Sequence, residues 1–76
     1  MENKVYSLIA DVLGISKDKI NDSLEMKDIE SWDSLRHMEL ITSIENFFSI
    51  ELNIDEILKM NSIKGIIKVL EEKNLN

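Results

Sequence analysis

The sequence predicts an all-α fold: a four-helix bundle of three main helices and a short third helix, with a long loop between helices 1 and 2. Three observations carry this prediction. Apolar residues recur at i, i+3, i+4 and i+7 in three separate stretches, the spacing of one helix face. The single stretch that alternates like a strand, Ile50, Leu52 and Ile54, has no partner strand elsewhere in the chain, and a lone strand is not stable. Finally, 76 residues with no proline, no repeat and no low-complexity tract fit one domain, residues 1–76, with a modest core.

The first helix is expected from Glu2 to Leu13, where Val5, Leu8, Ile9, Val12 and Leu13 form one stripe. Glu2 suits the positive end of the helix dipole. Gly14 fits a left-handed closing position, followed by apolar Ile15. Residues 15–32 show no period. Residues 16–20 can make one helical turn, and Ile20, Leu24, Met26, Ile29 and Trp32 pin the loop to the core. Loops of this length are often functional. The second helix starts at Asp33 or Ser34 and runs to Phe48, with His37, Leu40, Ile41, Ile44, Phe47 and Phe48 on its stripe. Asp33 is a good N-cap residue and Ser31 is the competing one. The short third helix is expected over residues 55–60. The last helix follows Asn61-Ser62 with Ser62 as cap. Ile63, Ile66, Ile67 and Leu70 face the core, Val69 flanks them, and Lys64, Lys68, Glu71, Glu72 and Lys73 face solvent. Gly65 inside that helix costs about 1 kcal/mol against alanine and either permits close packing or does nothing.

Composition excludes several functions. The net charge of −6 argues against nucleic acid, which needs a basic face. Between residues 22 and 56 lie ten acids and only Lys27 and Arg36 as bases, so this segment carries −8 and the remainder +2. Such a surface is well solvated, and it also steers basic partners. With no cysteine, disulfides and thiolate metal sites are absent, a reducing compartment fits, and thiol chemistry would need a sulfur from outside the chain. Neither a signal peptide nor a membrane span is expected, which points to the cytoplasm.

Chemistry-bearing residues are few. No metal-ligand set is visible. His37 lies on the apolar stripe and reads as a packed, hydrogen-bonded structural histidine. Ser34 and His37, three apart on one helix, could approach each other, but no oxyanion hole, cleft or orienting acid accompanies them, so self-contained hydrolysis is rejected and no catalytic residue is assigned. Trp32 anchors the loop end. Leu35 and Met38 flank the stripe, either half-buried or forming an apolar contact patch. Ser34 is a first-turn helix residue. A phosphodiester on it would meet free backbone N–H groups and the helix dipole.

Asp33-Ser34-Leu35, with Trp32 before it and Met38-Glu39-Leu40-Ile41-Thr42-Ser43-Ile44-Glu45-Asn46-Phe47-Phe48 after it, resembles the acyl carrier protein family. The similarity extends over nearly the whole chain, including the long loop, the short third helix and the final helix. The resemblance implies that Ser34 is the 4′-phosphopantetheine attachment site. A phosphopantetheinyl transferase would load it from coenzyme A, with Mg²⁺ acting in that enzyme's site. It implies a carrier of acyl or aminoacyl thioesters, not an enzyme, that meets transferring enzymes through their basic patches. Asp33, Leu35, Met38, Glu39 and Glu45 match positions of partner recognition. Ile57 and Met60 match positions that line an acyl cleft. The chain departs from the fatty-acid-synthesis pattern at Arg36, usually acidic, and at Phe47, usually glutamate. Trp32 and His37 also differ, and the loop after Phe48 lacks the usual proline. Trp-Asp-Ser-Leu-x-His looks more like carriers of polyketide, nonribosomal peptide or sugar-modifying pathways. A monomer is expected, with no membrane or nucleic-acid partner. The alternative is an unmodified helical module that binds a partner through an apolar groove.

Overall fold

The computed structural model describes residues 2–73, with side chains from residue 4 onward. The side chain of Glu2 and the ends of the expected domain 1–76 lie outside the described residues. Four α-helices follow in order: α1 (Glu2–Leu13), α2 (Ser34–Phe48), α3 (Ile54–Lys59) and α4 (Ile63–Glu72). Single 3-10 turns at Lys17–Lys19 and Met26–Asp28 shape the long loop; only the first is visible in the sequence. Among the described residues the sole β feature is an antiparallel bridge between Glu25 and Ser62.

The end of α1 and the starts of α2, α3 and α4 each have a chemical cause. Gly14 takes φ 68°, and the Ile15 N–H donates to the Ala10 carbonyl at 3.1 Å, closing α1 as the glycine suggests. Ser31 does not cap α2. Its hydroxyl donates to the Leu13 carbonyl at 2.8 Å, while Arg36 Nη1 donates to the Val12 carbonyl at 2.7 Å. Two residues flanking the start of α2 thus satisfy the orphan carbonyls ending α1. Asp33 caps α2, its carboxylate accepting the Arg36 N–H at 2.8 Å. α3 begins and ends one residue before the expected 55–60, because Asn53 supplies the cap. The Asn53 amide oxygen accepts the Glu56 N–H at 2.8 Å, and the Glu56 carboxylate accepts the Asn53 N–H at 2.9 Å, a reciprocal capping box. Ser62 caps α4 by accepting the Gly65 N–H at 2.9 Å.

One core joins the helices. Val5, Ile9 and Leu13 of α1, Leu40, Ile41 and Ile44 of α2, and Ile63, Ile66 and Leu70 of α4 are all buried. Val69, expected at the flank, is buried as well. Ile20 and Trp32 pin the loop, as expected, and Met60 and Leu52 close the far side. The loop is also tied down by polar groups. The Tyr6 hydroxyl donates to Asp22, the Met26 N–H donates to the Asn61 carbonyl at 2.8 Å, and the Ile63 N–H donates to the Leu24 carbonyl at 3.0 Å. Phe47 departs from the expected stripe. It lies half-exposed over an open groove beside α1 lined by Lys4, Leu8 and Lys17, edge-on to Phe48. Gly65 permits close packing: a Cβ there would overlap the Lys59 carbonyl oxygen at the end of α3.

Lys73, expected in solvent, instead reaches Glu56 at 2.9 Å and ties the end of α4 to α3. The Asn53 N–H, and after it Lys73, hold the Glu56 carboxyl below the usual glutamate pKa. A carboxyl with a depressed folded pKa contributes stability above its unfolded pKa, and loses it as pH falls through the folded value. Glu56→Gln is therefore expected to flatten the loss of urea-unfolding stability on acidification below the ordinary glutamate range. An unchanged acid slope would remove Glu56 as its source.

Candidate functional site

Ser34 is the first residue of α2 and is exposed. Asp33 takes the Arg36 N–H, and the His37 N–H bonds the Asp33 carbonyl at 2.8 Å. The N–H groups of Ser34 and Leu35 have no acceptor within the helix, so they face outward together with the positive end of the dipole. Beside Ser34 opens a cleft of about 370 Å³ lined by Met26, Ser34, His37, Met38, Ile57, Leu58 and Asn61. Its walls are chiefly apolar, and two of its lining side chains, Met38 and Leu58, are large, apolar and exposed. The arrangement fits an anionic tether on Ser34 with an extended chain lying against the surface.

His37 floors this cleft. The Trp32 indole N–H can only donate, so His37 Nδ1 accepts it, at 3.0 Å. The ring proton of neutral His37 is then on Nε2, which donates to the Ile57 carbonyl at 3.1 Å. Both nitrogens are occupied, and no base remains for Ser34. This is the hydrogen-bonded structural histidine that its place on the stripe suggests. Leaving a buried polar group of this kind without its partner costs about 1–3 kcal/mol, so the Trp32–His37–Ile57 relay fixes the loop end, α2 and α3 relative to one another.

The residues singled out in the sequence fall into three groups. Asp33, Leu35, Met38 and Glu39 are exposed around Ser34 on the first turns of α2. Glu45 is half-buried further along, and its carboxylate accepts the Leu52 N–H at 2.8 Å. Ile57 lines the cleft, whereas Met60 is 0% exposed and belongs to the core behind it. Sequence reasoning did not include Met26, Leu58 and Asn61. They come from three segments that meet through the bridge joining the loop to the α3–α4 junction, and no local pattern signals that meeting.

Among the described residues, no group of three or more His, Cys, Asp or Glu is placed to hold a metal, and no helix is long and apolar enough to cross a membrane. A family model described as the phosphopantetheine attachment site matches residues 3–70. The chain belongs to the acyl carrier protein family. It is 34% identical over 74 residues to an acyl carrier protein of Buchnera aphidicola from Schizaphis graminum, covering 97% of this chain and 94% of that one. It is 32% identical to the acyl carrier protein of Akkermansia muciniphila over 72 residues, 95% and 90% of the two chains. A non-reducing polyketide synthase of Monascus ruber is 31% identical over 72 residues, which are 95% of this carrier but only 3% of the synthase. The fold matches the solution structure of a holo acyl carrier protein from Nitrosomonas europaea, with a TM-score of 0.81 at 24% identity over 99% and 96% of the chains. The protein is thus a carrier with a covalently attached 4′-phosphopantetheine, not an enzyme. Carriers of this family work with a phosphopantetheinyl transferase and with biosynthetic enzymes.

Proposed function

We propose that Ser34 holds the phosphopantetheine arm and that residues 1–76 act as one carrier domain in the cytoplasm, as a monomer. The observation that carries this reading is the exposed Ser34 hydroxyl at the first position of α2, beside the apolar cleft and inside the matched segment. When bound, the arm supplies a thiol for acyl or aminoacyl thioesters, which the chain lacks because it has no cysteine. The protein's own residues do the positioning. The Ser34 and Leu35 N–H groups and the dipole stabilise the phosphodiester, and Asp33 fixes the helix start. Leu35 and Met38 offer apolar contact, and Asp33, Glu39 and Glu45 contribute acidity toward basic patches on the transferase and on acyl-transferring enzymes. Arg36 and Phe47, where fatty-acid-synthesis carriers have acids, support partners in a dedicated biosynthetic pathway.

Intact mass spectrometry after incubation with coenzyme A and a broad-specificity phosphopantetheinyl transferase tests this. One arm's mass is expected on the wild type and none on Ser34→Ala. A gain that persists in Ser34→Ala places the arm elsewhere. Loading is also expected to slow several-fold as ionic strength rises, because Asp33 and Glu39 are exposed; a salt-independent rate would remove acidic steering.

A further inference from the structure

We propose that Arg36 is a specificity-determining residue: it holds a positive charge in place beside Ser34 and selects enzymes whose basic docking patch carries a carboxylate at the matching point. This rests on the reading that Ser34 carries the arm. Arg36 is exposed in the first turn of α2, close after Ser34. Successive residues of an α-helix are turned by about 100°. Met38 accordingly leans toward α3, where it lines the cleft. Arg36 leans toward α1, where its Nη1 donates to the Val12 carbonyl at 2.7 Å. Leu35 projects between them and is exposed. An enzyme that closes on Ser34 across Leu35 meets the guanidinium on its α1 flank.

The charge is isolated, held and patterned. Between residues 22 and 56 the bases are Lys27 and Arg36 against ten acids. Lys27 has Glu25 at 3.9 Å, whereas Arg36 belongs to neither ion pair found among the described residues. One N–H of its fork is spent on Val12, and the others remain for a planar acceptor such as a carboxylate. The bond to Val12 favours one position for a side chain that would otherwise swing clear of a repelling partner. Along the exposed side of this stretch the charges run acid, base, acid: Asp33, Arg36, Glu39. The complement of that run is base, carboxylate, base. A patch of bases alone is attracted at Asp33 and Glu39 and opposed at Arg36. A carboxylate at that point turns the opposition into a fork-to-carboxylate pair.

The experiment measures kcat/KM for loading of the full chain from coenzyme A by a phosphopantetheinyl transferase with a basic docking patch, followed by intact mass. At low ionic strength Arg36→Glu is expected to load about fivefold faster than the wild type, and within about twofold of it in about 0.5 M sodium chloride. A gain is diagnostic, because damage to the fold would slow loading. Arg36→Gln, which removes the charge and keeps N–H donors, is expected to fall between the two. A folded Arg36→Glu that loads no faster than the wild type overturns the proposal, as does a gain that salt leaves unchanged. A second arm leaves the carrier intact: each basic residue of the transferase patch is changed singly to glutamate. One of these changes is expected to speed loading of the wild type and to slow loading of Arg36→Glu. If no change speeds the wild type, the proposal fails, whether or not Arg36→Glu folds. Absence of any mass gain on the wild type instead refutes Ser34 loading, a separate result.

Discussion

Trp32→Ala is expected to remove a large share of the folding stability. Truncating a buried tryptophan costs about 3–5 kcal/mol, and a domain of this size holds roughly 4–11 kcal/mol in total. Trp32 is 2% exposed and closes the end of the long loop against the core. Part of the loss is polar, because the substitution also takes the donor from His37 Nδ1. Trp32→Phe separates the two terms. It keeps a ring in place and removes only the N–H, for an expected cost of about 1–3 kcal/mol. In a cycle with His37→Leu the two single changes should be non-additive by about 1 kcal/mol, since both disturb one contact. Urea unfolding followed by far-ultraviolet circular dichroism reads all four proteins. Strict additivity would mean that the indole–imidazole bond contributes nothing.

Gly65→Ala is expected to lower the melting temperature, although helix propensity alone predicts the opposite. Alanine in place of glycine gains about 1 kcal/mol within a helix. At this position the new methyl would overlap the Lys59 carbonyl oxygen, a backbone atom that cannot step aside as a flexible side chain can. Overpacking of that kind costs about 1–3 kcal/mol and sometimes more. The α3 end is held by its own capping and by the Lys73–Glu56 pair, so the strain is not easily released. A net loss of up to about 2 kcal/mol corresponds to a drop of up to roughly 16 °C in a domain this small. A rise in melting temperature would show that α3 moves away at little cost.

Much of this was legible in the chain itself because it depends on neighbours in sequence. Gly14, Asp33 and Ser62 act within a few residues of themselves, and the stripes of α1 and α4 bury as their spacing requires. His37 announced its burial by lying on the α2 stripe. What it bonds was not legible, since Trp32 lies in a loop without period and the Ile57 carbonyl belongs to a separate helix. Gly65 was ambiguous for the same reason: its close neighbour is Lys59, across a turn. Phe47 misled because a stripe says which face a residue is on, not whether another element covers that face. Lys73 read as solvent-facing because its partner Glu56 is brought near only when α3 and α4 pack. Within the site, Ser34 stood out from its motif, whereas Met26, Leu58 and Asn61 became neighbours of it only through the folded loop.

The double closure of α1 by Ser31 and Arg36 has a mechanical consequence. The two side chains bracket Ser34 in sequence, and both are fastened to the end of another helix, at Leu13 and Val12. The attachment serine of the proposed reading therefore sits on a pivot bolted at both sides. All the reach of a swinging arm then comes from the arm, and its tip sweeps a volume centred on a point that does not wander. An enzyme that has docked on α2 can find the thioester at a radius fixed in advance by the covalent length of the tether.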